Sequence, residues 1–210
     1  MTDTDLSAMV AIGQVFAAER FMKRRGTWVV DSSDGVRRSV AANVSRYGGV
    51  IMSAGIRYEA VESILEGLEP EQESFGPGRG KHAPATIVSQ CAWAHVHFSD
   101  VGVRGLQREV LGWLRSRALP YLDRYRDCRV ALRDILEGRE LTMMGRFFQA
   151  RAAVGISVYI EDTESFRRAS ELPVPPVDEV AFAELVERAR RVAGAPDHQG
   201  HQATEGGGDP

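Results

Sequence analysis

The feature that most constrains this chain is a change of hydrophobic period at Gly26. Before it, Leu6, Met9, Val10, Phe16 and Phe21 recur at helical spacing. Residues 5–25 therefore read as an amphipathic helix, with Asp5 as its cap and Gly26 as its stop. After it, "TWVV" (27–30), "VRRSVAANVSR" (36–46) and "GVIMSAGIRYE" (49–59) alternate apolar and polar residues, as half-buried strands do. The turns "DSSDG" and "YGG" supply glycine where a hairpin needs positive φ. Strands joined this tightly form an antiparallel meander.

The period changes again at residue 59. A short helix over 59–68 turns Val61, Ile64, Leu65 and Leu68 inward and leaves Glu59, Glu62 and Glu66 on its other face. The stretch "EPEQESFGPGRGKHAP" (69–84), rich in proline, glycine and charge, reads as a mobile loop. A fourth strand follows at about 86–98. From there helical spacing predicts segments 103–117, 120–137, 141–154, 163–171 and 178–193, broken at Pro120, Gly138 and "PVPP" (173–176). The β-branched "GISVYIE" (155–161) fits a strand or a helix end, and is read as the helix end. The expected fold is α+β, a four-stranded antiparallel sheet backed by an N-terminal helix and followed by a C-terminal helical region. One α+β domain covers 1–172, a proline-led C-terminal helix covers 173–194, and composition predicts a disordered tail over 195–210.

Strand parity assigns two faces to the expected sheet. Trp28, Val30, Val40, Ala42, Val44, Val50, Met52, Ile56 and Tyr58 fall on one side, together with Val88, Ala92, Ala94, Val96 and Phe98 of the fourth strand. The other side collects Arg37, Ser39, Asn43, Ser53, Arg57, Cys91, Trp93, His95 and His97. A polar sheet face carrying a large aromatic is a shallow platform for a ligand or partner. An ordinary solvated sheet face gives the same pattern. Trp93, His95, His97, Arg37, Asn43 and Arg57 are the expected contact residues.

His95 and His97 raise a second reading. Residues i and i+2 of a strand point the same way about 6.6 Å apart. That spacing allows both imidazoles to reach one zinc at about 2.0–2.1 Å. A third protein ligand is not evident: Cys91 lies about 13 Å along the strand from His95, and only carboxylates such as Asp31 or Glu59 remain. A metal-dependent, hydrolase-like enzyme with zinc or another divalent metal is therefore the alternative, and no cofactor the leading expectation.

Other motifs carry less. In "FGPGRGKHAP", Phe75 and His82 stand where a phosphate loop needs glycine and a hydroxyl residue, and a strand follows instead of a helix. The segment 104–139 holds nine arginines against five acids. Glu109, Asp123, Asp127 and Asp134 are interleaved at helical spacing, which favours self-neutralising pairs over a nucleic-acid stripe. The formal net charge of −3 also disfavours nucleic acid. Cys128 has arginines around it that would lower a thiol pKa, but its spacing suits a small apolar helix residue. Two distant cysteines and no positive region before the first apolar residues point to a cytoplasmic setting, and no apolar run is long enough for a bilayer.

Two stretches carry a likeness: "FAAERFMKRRGTWVV" and "LGWLRSRALPYLDRYRDCRVALRDIL", together about a third of the chain. In them the chain resembles uncharacterised bacterial domains of the DUF4304 type. The resemblance implies an α+β fold in a bacterial cytoplasm and carries over no mechanism and no functional residue. The resulting expectation is a non-enzymatic binding or interaction module with a protein or small-molecule partner and no membrane association; a homo-oligomer is compatible with it.

Overall fold

The computed structural model describes residues 3–24, 27–31, 34–44, 49–68, 87–139, 141 and 145–194. Helix α1 (Asp3–Ala18) leads into strands β1 (Met22–Arg24), β2 (Thr27–Asp31), β3 (Val36–Val44) and β4 (Gly49–Tyr58), then α2 (Glu59–Leu68) and β5 (Ile87–His97). The rest is helical. Helix α3 (Phe98–Trp113) kinks at Gly102 (φ 61°) and runs through a π-helical stretch (Leu114–Ala118) into α4 (Leu119–Arg124). Helices α5 (Cys128–Leu136), α6 (Arg146–Tyr159), α7 (Thr163–Ser170) and α8 (Glu179–Ala193) follow, with a 3-10 turn (Pro176–Asp178) before α8. The protein is α+β with an antiparallel sheet. The proposed loop 69–84 and tail 195–210 lie outside the described residues.

The strands pair in chain order, β1-β2-β3-β4-β5, every pair antiparallel. The four expected strands are present, and a fifth lies at the edge where sequence spacing extends the first helix to residue 25. The helix ends early because Arg20 takes the left-handed region (φ 67°) and Phe21 N–H donates to Phe16 O, closing the last turn. The chain then reverses, and Met22 pairs with Val29.

Pro120 does not break the helix; it follows directly on the π-helical stretch Leu114–Ala118, whose wider i→i+5 turn (Leu119 N–H to Leu114 O) lets the chain pass the proline. The break falls later, at Asp127, whose carboxylate caps α5 by accepting from Arg129 N–H at 2.9 Å. "GISVY" is the end of α6 rather than a strand, with Gly155, Ile156 and Ser157 buried and Tyr159 exposed.

One face of the sheet lies under α1, α3 and α4. Val40, Ala42, Val50, Met52, Ala54, Ile56 and Tyr58 there are buried, and Ile12 and Phe16 of α1 are fully buried in the same core. Phe16 is the hub of an aromatic cluster, 5.8 Å from Trp28, 6.3 Å from Phe21 and 6.5 Å from Trp113. Trp28 reaches α1 because residue 13 is glycine: a Cβ there would stand 2.9 Å from the indole.

Alternation holds through β2 but not through β5. Trp28 lies opposite Val40 on the covered face and packs on Phe16, while Val29 lies opposite Ser39 and both are buried on the second face. In β5 the register shifts between Met52 and Ala54, so Ala94 lies opposite Met52 while Ser89 lies opposite Ala54. Met52 and Ala54 share a face, but Ala94 and Ser89 are an odd number of residues apart. The bulge therefore breaks the single row expected to join Val88 to Ala94.

Candidate functional site

The second face of the sheet is less covered. Where the helix-covered face is buried, Ala41, Ile51 and Ser53 are half-buried and Asn43 is exposed. Ladder pairing puts Asn43 opposite Ile51 and Ile51 opposite His95, so one row crosses three strands; Gly49 lies opposite His97. The side chains of Trp93, His95 and His97 lie outside the described residues. Sheet register brings the backbone positions of His95 and His97 beside Ile51 and Gly49, leaves Trp93 in the bulged stretch of β5, and sets Arg37 directly opposite Arg57 at the far end of the face.

The two arginines are held by α2. Arg57 Nε donates to Glu59 Oε2 at 3.0 Å and Arg57 Nη2 to Glu66 Oε1 at 3.2 Å; Arg37 Nη2 stands 3.1 Å from Glu59 Oε1. Burial works to discharge the Arg57 guanidinium, and its bonds to Glu59 and Glu66 with the Glu62 field override that, holding its pKa above the ordinary value. Arg57 is thus a wall of the site more than a free contact, whereas Arg37 keeps about a third of its side chain exposed (36%).

Behind this end lies a group that helical spacing assigns to solvent. Glu62 is 1% exposed, with both carboxylate oxygens 3.4 Å from the buried Arg151 guanidinium of α6 and Oε2 3.8 Å from Arg57 Nη1. The α2–α6 crossing is close enough that a Cβ on Gly155 would meet Leu65 at 2.7 Å. The signal available in sequence was three acids at positions 59, 62 and 66, on one helix face, directly after a strand that carries Arg57 as its penultimate residue. The partner Arg151, 89 residues from Glu62, had no local signal.

In the arginine-rich 104–139 segment, Arg124, Arg133 and Arg139 meet carboxylates of the segment itself, and other pairs reach far away in sequence. Arg115 pairs with Glu19, Arg126 with Asp34, and Asp123 accepts from Arg38. Asp134 is fully buried and accepts from Arg124 Nη2 at 2.6 Å and Tyr125 Oη at 2.9 Å, with Arg139 Nη1 at 3.2 Å. Burial opposes its charge, but Arg124 and Tyr125 hydrogen bonds and the Arg139 field outweigh that, and its pKa lies below the ordinary carboxylate value. Tyr58, on the covered face, donates to Tyr125 O, and burial pushes its phenol well above its usual pKa. Burial, then the Asp127 charge, also raises the Cys128 thiol; it is a packing residue, not an activated nucleophile.

Among the described residues no group of three His, Cys, Asp or Glu side chains is arranged to hold a metal ion. The side chains of all five histidines lie outside that set. No described helix is long and apolar enough to cross a membrane. No protein-family model matches the chain, and neither a curated protein nor a solved structure matches it.

Proposed function

We propose that this protein is a binding module, not an enzyme, and that its contact surface is the second face of the sheet. The observation that carries this reading is the uneven cover of the sheet: one face is buried under helices, while Asn43, Ala41, Ile51 and Ser53 of the other keep contact with solvent. Trp93, His95 and His97 extend this surface along β5, and Arg37 and Arg57 border it. A mixed polar and apolar strip of this kind suits a protein segment or a small molecule. Arg115, Arg124, Arg126, Arg133 and Arg139 of the 104–139 segment are engaged by carboxylates, which argues against nucleic acid as the partner. A bacterial cytoplasmic setting belongs to the same reading, supported by the neutral, buried Cys128 thiol and the scarcity of cysteine.

The test is affinity capture with the wild-type chain, Trp93→Ala and Asn43→Arg. The expected result is a partner retained by the wild type and lost by both variants, at unchanged far-ultraviolet circular dichroism. Equal capture by all three removes the sheet face from the account. Stoichiometric zinc or another divalent metal in the purified protein, lost in His95→Ala, replaces the binding module with a metal-dependent enzyme.

A further inference from the structure

We infer that the corner built by residues 172–176, the 3-10 turn and α8 is a homodimer surface, and that its occupant is a second copy of this chain. Val177 and Val180 are the two most exposed large apolar side chains among the described residues, at 89% and 73%. Pro173 and Pro176 are exposed beside them. An adjacent cleft of about 380 Å³ has Val174, Phe182 and Val186 in its lining and Glu179, Glu187 and Arg190 around it. The same corner therefore carries an apolar projection and an apolar recess. A two-fold axis seats each copy's projection in the other's recess, the isologous arrangement that closes a dimer.

Charge favours the same occupant. Phe182, Leu185, Val186 and Ala189 form the buried side of α8, Val180, Glu184 and Arg191 are exposed on the opposite side, and the exposed Ala183 between the two lines the cleft with Phe182 and Val186. Glu179 lies in the first turn, and Arg190 and Arg191 in the last. Antiparallel packing of two α8 helices brings the acidic start of each against the basic end of the other. Pro175 is extended (φ −60°, ψ 145°) and Pro176 begins the 3-10 turn, so the projection is set before contact and loses little freedom on burial. None of these residues belongs to the sheet, so this surface stands or falls independently of the sheet-face reading.

Sedimentation of the full-length chain over a dilution series tests the inference. The wild type is expected to reach twice the monomer mass with rising concentration. Val180→Asp, at an exposed position, is expected to raise the dimer dissociation constant at least about tenfold, equivalent to about 1.4 kcal/mol, with unchanged circular dichroism. Glu179→Arg weakens the dimer, and Glu179→Arg with Arg191→Glu restores it. A wild type monomeric at every concentration overturns the inference and leaves the corner to a partner of other chemistry. A dimer indifferent to both Val177→Asp and Val180→Asp overturns it too, and a double variant no tighter than Glu179→Arg overturns the antiparallel arrangement.

Discussion

Two buried carboxylates, Glu62 and Asp134, solve the same problem differently. Glu62 sits where α2, α6 and the end of β4 meet, and its partners Arg151 and Arg57 are themselves nearly buried (side chains 9% and 12% exposed). Its contacts are long, 3.4–3.8 Å. Asp134 is equally inaccessible, but its partners Arg124 and Arg139 reach in from the surface, each about half exposed, with contacts of 2.6 and 3.2 Å. An ion pair with both members buried has lost hydration on both sides, so removing one member strands the other. A buried carboxylate with wet charged partners strands no charge when it is removed, because a released arginine returns to water; at Asp134 only the buried Tyr125 hydroxyl would lose its acceptor. Equal burial thus does not mean equal consequence.

The largest expected effect separates the two. Glu62→Gln removes a buried negative charge shared by the Arg151 and Arg57 guanidinium groups and is expected to cost about 3–5 kcal/mol, read as a lower urea midpoint at unchanged slope. Glu62→Leu combined with Arg151→Leu should recover most of that loss. If the single and double variants are equally unstable, the stranded-charge account of Glu62 is wrong.

Next comes the crossing that places Glu62 against Arg151. Gly155→Ala drives a Cβ into Leu65 and is expected to cost about 1–3 kcal/mol. Adding Leu65→Ala should cost less than the two single changes together, since they share one clash. Strict additivity would mean that the helices separate freely.

Asp134→Asn is expected to lose about 1–3 kcal/mol by weakening hydrogen bonds to charged donors. It also carries a pH signature. The native Asp134 carboxyl binds its proton more weakly than the unfolded one, so its stabilisation is complete above the ordinary carboxylate range. That stabilisation is lost as pH falls through the lowered native pKa. Acid titration of stability should therefore be less steep in Asp134→Asn than in the wild type; identical acid limbs would sever Asp134 from its arginines. The smallest effect is that of Tyr125→Phe, which removes one donor from Asp134 and should cost about 1 kcal/mol by thermal melting.

Local patterns were readable wherever a neighbour in sequence is a neighbour in space. The switch from period 3.6 to period 2 at Gly26 marks out the meander, and the spacing of Val61, Leu65 and Leu68 gives the buried side of α2. The same reasoning misplaces residues 22–24, because a left-handed Arg20 ends α1 sooner than any composition signal does. It also misplaces Glu62, because a helix face is polar or buried according to what packs on it. For the candidate site, parity correctly groups Arg37, Ser53 and Arg57 on the less-covered face. It does not foresee that Ser39, on the same row, is buried and donates to Gly55 O. Nor does it foresee that α2 engages Arg57 with three carboxylates.

By itself, then, the sequence determined the class of the fold, the central strand meander and which half is helical, because hydrophobic period and turn chemistry are local. Only the tertiary structure decided which charges are buried, where β5 slips register and which valines are left in water. Those depend on contacts between residues far apart in the chain, such as Glu62 with Arg151 and Arg38 with Asp123, whose pairing no local pattern encodes.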